Sequence, residues 1–108
     1  MENETPKGKA IHLTDFIQYA DKSVVSKTLL DKKTGTVTLF AFAAGEGLSE
    51  HTTPFDALVQ VLDGQAKLVI GGEEVVASTG DLVIMPADVP HALRAEEPFK
   101  MLLTMIRS

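Results

Sequence analysis

The sequence has 108 residues, 44% of them hydrophobic, a formal net charge of −5 and no cysteine. This length suits one domain with one buried core, and the lack of cysteine excludes disulfides and thiolate chemistry. The ten basic residues are scattered, so neither nucleic acid nor an anionic membrane is expected as a partner. With no apolar leader and no membrane-length apolar run, the sequence predicts a soluble cytoplasmic protein.

The beginning of the chain differs in character from the rest. Residues 1–9, MENETPKGK, are polar and predict a flexible segment, whereas residues 10–108 predict a single domain. In LTDFIQYA, the side chains of Leu13, Phe16 and Ile17 fall at i, i+3 and i+4. That spacing predicts one or two helical turns and no longer helix.

The remaining sequence predicts about eight short β-strands with turn signals between them. In chain order the blocks are SVVSKTLL, TVTLFAFAAG, ALVQVL, QAKLVI, EEVVAS, DLVIM, HALRAE and FKMLLTMI. Asp63-Gly64 and Gly71-Gly72 are both typical of two-residue hairpins, which join antiparallel strands. The pattern favours an all-β sandwich or barrel.

Several of these strands are apolar on both faces. In ALVQVL, the side chains of Ala57, Val59 and Val61 point one way, and those of Leu58 and Leu62 point the other way. A strand with two apolar faces needs a second layer. Either loops cover the outer face or a second subunit does, and we favour a symmetric homodimer for so small a chain.

Two stretches share a recognisable frame of glycine, proline and histidine. GEGLSEHTTPFDALVQVLDG and GDLVIMPADVPHAL resemble the two motifs of the cupin family, whose members are small jelly-roll β-barrels. The matching positions are Gly45, His51 and Gly64 in the first stretch and Gly80, Pro86 and His91 in the second. The resemblance covers about half of the chain directly and implies a cupin-type jelly-roll β-barrel.

The same frames depart from the family at four positions. The second histidine and the glutamate of the first motif are replaced by Thr53 and Ala57, while Asp88 and Ala95 replace the glycine and asparagine of the second. Aspartate accepts left-handed backbone angles better than most residues, so Asp88 is a tolerable exchange. Of the four metal ligands that the resemblance implies, His51 and His91 remain.

Two imidazoles make an incomplete site for the divalent transition metals that cupins hold, such as Zn, Fe, Mn or Ni. A catalytic metal normally needs at least three protein donors. Asp56 lies one residue from the vacated glutamate position, and this shift places its side chain on the opposite strand face. A bulge at Pro54 would reverse that parity. The side chains of Glu50 and Gln60 are also expected on the strand face that points away from the predicted metal site.

The substitutions leave space beside the first histidine. The predicted ligand-binding residues are His51, Thr53, Phe55, Ala57, Met85 and His91. Together they would form a mostly apolar pocket with one hydroxyl and two imidazoles, which is a common composition for small-molecule sites. In the competing interpretation, each histidine only forms hydrogen bonds with the backbone or with water. Phe55 or a methionine then fills the space beside His51. His12 is expected at the surface.

Three hypotheses about function follow. The first is a domain that binds a small apolar or weakly acidic molecule in the barrel. The second is a metal-dependent enzyme of the oxygenase, isomerase or decarboxylase type, which the resemblance also allows and which needs a third metal donor. The third is metal-free acid-base catalysis, since histidine can both grip an acid and carry a proton. It has the least support, because no orienting carboxylate is assignable near either histidine.

Overall fold

The computed structural model describes residues 7–107, and almost all of its regular structure is β-strand. The strands are β1 (Val24–Lys32), β2 (Gly35–Phe42), β3 (Gly47–His51), β4 (Asp56–Asp63), β5 (Gln65–Ile70), β6 (Glu73–Ser78), β7 (Leu82–Met85), β8 (His91–Arg94) and β9 (Phe99–Ile106). A single 3₁₀ turn, Leu13–Asp15, comes before them. The predicted flexible segment 1–9 lies mostly outside the described residues and stays a prediction.

The strands form two antiparallel sheets. One has five strands in the order β1-β2-β9-β4-β7, and the other has four in the order β3-β8-β5-β6. Within residues 7–107 no strand pairing joins the two sheets, so the jelly roll is a flattened sandwich whose barrel is not closed by hydrogen bonds. The predicted all-β jelly roll is confirmed. β3 was not predicted, because GLSEH contains a single apolar residue and no alternation.

The main core lies between the sheets. The predicted alternation of β4 is confirmed, because Ala57, Val59 and Val61 are all buried. On β2 and β9 of the same sheet, the rings of Phe42 and Phe99 stack with their centroids 4.6 Å apart. Offset stacking of this kind adds to the stabilisation that burial of the rings provides.

A second, smaller core lies on the outer face of the five-stranded sheet. Leu39 and Ala41 of β2 are buried there against Ile17. Two lysines hold the N-terminal segment in place: Lys27 donates a hydrogen bond to a backbone carbonyl of that segment at 2.6 Å, and Lys100 donates another at the same distance. The chain itself therefore covers part of the apolar outer face, which is one of the two predicted alternatives, and the homodimer stays a prediction.

The two predicted hairpins have different outcomes. β5 and β6 pair as predicted across Gly71-Gly72, with Ile70 opposite Glu73. The prediction at Asp63-Gly64 is wrong, because β4 and β5 belong to different sheets. Gly64 is instead a corner between the sheets. It has a φ of +86°, and a Cβ there would lie 2.5 Å from the carbonyl oxygen of Pro98, so only glycine fits.

No helix in residues 7–107 has the length and apolar character needed to cross a bilayer.

Candidate functional site

The structure brings the two motif histidines together at one end of the four-stranded sheet. His51 is the last residue of β3 and His91 is the first residue of β8, and they are direct partners across the ladder. Their ring centroids are 4.4 Å apart, and the ring planes meet at 70°. His91 is 3% exposed, whereas His51 is exposed. The pair thus runs from the protein interior to the surface.

Both imidazoles are anchored in the same way. Nδ1 of His51 lies 2.8 Å from the carbonyl oxygen of Ser49, and Nδ1 of His91 lies 3.1 Å from that of Val89. A carbonyl can only accept a hydrogen bond, so Nδ1 carries the proton in each ring. In the neutral ring Nε2 is then an acceptor, and within residues 7–107 it has no hydrogen-bond partner.

A small cavity of about 30 Å³ adjoins the two rings. Its lining residues are Leu48, His51, Thr53, Ala57, Met85, His91, Leu93, Leu103 and Met105. It is large enough for a water molecule, which needs at least ~10–15 Å³ by this kind of measure. Of the six predicted pocket residues, Phe55 alone does not line it. The backbone carbonyl of Phe55 contacts a lining residue, because it accepts a hydrogen bond from Thr53 Oγ1 at 3.1 Å.

Two methionines account for the small size of this cavity. Ala57 of β4 is flanked by its two cross-strand partners, Met85 on β7 and Met105 on β9. Both methionines line the cavity together with Ala57, which stands at the position of the cupin-motif glutamate. The structure therefore supports the alternative in which methionine occupies much of the vacated space. Methionine changes shape easily, so this wall is the most deformable part of the site.

The candidate third metal donors lie elsewhere. The carboxylate of Asp56 is exposed and accepts a hydrogen bond from the backbone N–H of Ala87 at 2.8 Å. Glu50 and Gln60 are exposed and do not line the cavity. Within the described part of the chain, no three histidine, aspartate or glutamate side chains are close enough together to hold a metal ion.

The loop before His91 is tied to the segment after His51. Asp88 donates its backbone N–H to the carbonyl of Thr53 at 2.8 Å, and Ala87 makes the bond to Asp56 described above. Asp88 has a φ of +65°, which confirms that aspartate here takes the left-handed conformation of the motif glycine. These two bonds fix the relative position of the two motifs.

The third histidine, His12, does not belong to this site. His12 is exposed, and its Nδ1 lies 2.7 Å from a carboxylate oxygen of Asp15 at the N-terminal turn. It does not line the cavity. The surface position expected for it is confirmed.

A wider recess lies on the outer face of the four-stranded sheet, with a volume of about 660 Å³. Its one lysine is paired with two glutamates. Nζ of Lys67 lies 2.8 Å from a carboxylate oxygen of Glu96 and 3.4 Å from one of Glu74. The hydrogen bonds to Glu96 and Glu74 raise the pKa of Lys67, and the bond from Lys67 lowers the pKa of Glu96. The recess shares Leu48 and Leu93 with the lining of the histidine cavity, but neither His51 nor His91 lines it.

The frame that carries both histidines matches a known family. Residues 38–106 match the family model described as a cupin domain. The chain belongs to the cupin family. This cupin's two motifs thus meet at the His51–His91 pair, as the spacing of the two frames implies.

Several solved structures are closely similar to this one. A conserved protein of unknown function from Streptococcus pyogenes is 32% identical, with a TM-score of 0.92 over 99% of this chain and 93% of that one. A cupin 2 conserved barrel domain protein from Leptotrichia buccalis is 39% identical, with a TM-score of 0.86 over 89% of this chain and 47% of that one. This cupin therefore spans about half the length of the Leptotrichia protein.

A third relative matches from end to end. A cupin superfamily protein from Desulfitobacterium hafniense is 26% identical, with a TM-score of 0.90 over all of both chains. A search of curated proteins found no match. These relatives establish the fold and family of this cupin, and its function has to be argued from its own site.

Proposed function

We propose that this cupin binds a small, weakly acidic molecule at the His51–His91 pair. The observation that carries the proposal is the common orientation of the two rings. Each donates its Nδ1 proton to a backbone carbonyl, which leaves Nε2 with a lone pair and no partner in residues 7–107. Two imidazole acceptors side by side are well suited to the hydroxyl of a carboxylic acid or a phenol.

The size of the cavity determines how such a molecule would lie. A space of about 30 Å³ admits a hydroxyl or a single carboxyl oxygen, but not a whole ring. The acidic group would therefore enter the cavity beside the buried His91, and the rest of the molecule would lie at the mouth against the exposed His51. Movement of Met85 or Met105 would deepen the space for an apolar group.

The chemistry of the pair favours acids over other hydrogen-bond donors. When a bound acid transfers its proton to Nε2, the products are an imidazolium and a carboxylate or phenolate in contact. A charge beside the buried His91 is tolerable only when it is paired, and the ligand supplies the partner. Thr53 lines the same cavity, so its hydroxyl oxygen can take part. An amide or an alcohol offers the hydrogen bond without the charge pair.

A metal-dependent reaction is the second candidate. Cupins often bind metals, and histidines that ligate metals commonly donate their other ring N–H to a carbonyl, as both histidines do here. Two imidazoles are nevertheless one donor short of a catalytic metal centre. The residues present do not complete such a site, so a metal-dependent activity would need its third donor from the substrate.

Calorimetric titration of chelator-treated protein with benzoate tests the proposal, with one proton taken up from the buffer on binding so that a protonated Nε2 can donate to the carboxylate. Benzoate should bind saturably to the wild type and to His12→Asn, a control that changes the surface histidine. His51→Asn alters an exposed side chain, so it should fold normally and bind benzoate at least about tenfold more weakly. Equal binding by all three proteins would refute the proposal. Binding that appears only after zinc is added would favour the metal-dependent alternative instead.

A further inference from the structure

The polar side chains of the small cavity accept hydrogen bonds and do not donate any to it. The Nδ1–H groups of His51 and His91 are already used on backbone carbonyls, and the hydroxyl of Thr53 donates to the carbonyl of Phe55. The other lining side chains belong to leucine, alanine and methionine. Among the lining side chains of the described chain, two imidazole nitrogens and one hydroxyl oxygen are therefore left as acceptors.

The volume of the cavity suits a molecule of two heavy atoms. About 30 Å³ is roughly twice the ~10–15 Å³ that one water molecule needs. The ring centroids of His51 and His91 are 4.4 Å apart, so a molecule with a proton at each end can donate one hydrogen bond to each ring. Hydrogen peroxide, HO–OH, has this composition, and the exposed ring of His51 lies where it would enter.

Two methionine side chains form the wall beside this position. Met85 and Met105 are the cross-strand partners of Ala57, so the three side chains share one face of the sheet, and all three residues line the cavity. The thioether of methionine is readily oxidised to a sulfoxide. Met101 is 0% exposed and Met85 is 2% exposed, but Met101 does not line the cavity. Exposure alone therefore predicts equal oxidation of Met85 and Met101.

We propose that Met85 is a modification site, which is oxidised to methionine sulfoxide by hydrogen peroxide held on the His51–His91 pair. A lone pair of the thioether sulfur attacks one peroxide oxygen, and the O–O bond breaks. The proton of the transferred oxygen passes to the departing hydroxide, which leaves as water. The sulfur is oxidised by the same two electrons that reduce the peroxide, so the reaction needs no other reactant.

Binding in the cavity provides the selectivity. Hydrogen bonds from both peroxide hydroxyls keep the molecule next to the wall, so its encounter with the sulfur becomes in effect intramolecular. The three rotatable bonds of methionine let the sulfur of Met85 adjust to the nearby oxygen. Met101 is packed among the buried residues of the main core and gains nothing from peroxide in this cavity.

Oxidation of Met85 would also close the site to its ligand, a consequence that rests on the proposed function. The added oxygen would occupy part of a cavity of only about 30 Å³, where the acidic group of the ligand is expected. A sulfoxide oxygen is polar and accepts hydrogen bonds, so it would repel a carboxylate oxygen beside it. Methionine sulfoxide reductases restore the thioether, so the closure is reversible.

Peptide mass spectrometry after brief peroxide treatment of chelator-treated protein tests the modification without any ligand. In the folded wild type, Met85 should gain oxygen at least about tenfold faster than Met101. In denaturant the two rates should be equal, which is the internal control. Met105 is left out of the comparison, because it is more exposed than either residue.

A matched pair of histidine variants tests whether the peroxide is held by the pair. His51→Leu removes one acceptor, so it should lower the ratio of the Met85 and Met101 rates at least about threefold. His12→Leu changes the surface histidine and should leave the ratio unchanged. Equal rates at Met85 and Met101 in the folded wild type, or a ratio that is the same in both variants, would overturn the proposal.

Benzoate titration before and after peroxide treatment tests the consequence. The affinity of the wild type and of Met101→Leu should fall at least about tenfold and recover after treatment with methionine sulfoxide reductase, whereas Met85→Leu should lose less. An unchanged affinity after selective oxidation of Met85 would overturn the closure of the site. Selective oxidation in a protein that never binds benzoate would support the modification site and refute the proposed function.

Discussion

His51 and His91 are partners across a single ladder position, and their rings meet edge to face with 4.4 Å between centroids. One ring is buried and the other is exposed, although both make the same hydrogen bond to the backbone. The site can therefore be approached from solvent at His51, while its inner end lies in a mostly apolar cavity.

Met85 should control the size of the site. Met85→Ala is expected to lower the free energy of unfolding by about 2–5 kcal/mol, because the side chain is buried, and to strengthen benzoate binding by opening the space beside Ala57. Urea unfolding and calorimetric titration measure the two effects. Met101→Ala is the control, since Met101 is equally buried and does not line the cavity. Improved binding by the control as well would contradict the assignment.

Two substitutions should restore the metal ligands that are missing at residues 53 and 57. Thr53→His combined with Ala57→Glu is expected to bind Zn²⁺ at least about 100-fold more tightly than the wild type, because four donors would then surround the cavity. The buried glutamate should cost about 3 kcal/mol of stability without metal, and added zinc should recover part of it. Competition with a chromogenic chelator gives the affinity.

The matched control for this variant is Thr53→His with Ala57→Gln. It introduces almost the same volume and lacks the carboxylate, so it should gain much less zinc affinity. If both double variants bind zinc as weakly as the wild type, residues 53 and 57 do not occupy the vacated ligand positions.

Gly64 should be far less tolerant of a side chain than Gly72. Both residues have a left-handed backbone, with φ of +86° and +85°, but only at Gly64 does a Cβ meet the chain, at the carbonyl of Pro98. Gly72→Ala should cost about 1 kcal/mol from the backbone angle alone, and Gly64→Ala about 3 kcal/mol. Equal losses in urea unfolding would mean that the corner between the sheets adapts to the methyl group.

Tyr19 should make stability sensitive to alkaline pH. Its hydroxyl donates to Asp63 at 2.6 Å, and burial, that hydrogen bond and the aspartate charge raise the pKa of Tyr19 above its ordinary value of 10.0. The folded protein therefore keeps the proton above pH 10.0 while the unfolded chain loses it. The stabilising effect is present below that pH and is lost as the pH rises further.

Tyr19→Phe isolates this contribution. The variant should be less stable than the wild type by about 1 kcal/mol at pH ~8, and the difference should shrink as the pH rises past 10.0. Chemical unfolding of both proteins over this range measures it. A difference that stays constant with pH would show that the ionisation of Tyr19 does not contribute.

The fold was largely predictable because its signals are local or carried by a family frame. The alternation in β4 predicted which face is buried, and the spacing of the two motifs predicted that His51 and His91 would share a site. The corner at Gly64 was not predictable from Asp-Gly. That dipeptide describes a sharp change of direction and does not indicate whether the next strand stays in the same sheet.

The shape of the site depends on contacts between distant parts of the chain. The sequence identified Ala57 as a small inward residue, but the flanking of Ala57 by Met85 and Met105 depends on the registers of β4 with β7 and β9. The packing of the N-terminal segment over Leu39 was not predicted, for a similar reason. It depends on Ile17, in a segment with only one 3₁₀ turn, and a pattern of three apolar residues does not indicate where such a segment packs.

The most direct test of the site is a long-range ¹H–¹⁵N NMR titration of metal-free protein with benzoate, because it observes the ring nitrogens themselves. The Nε2 signals of His51 and His91 should shift together along one saturable curve, while those of His12 stay unchanged. Shifts that are absent from this pair, or of equal size at all three histidines, would contradict the account.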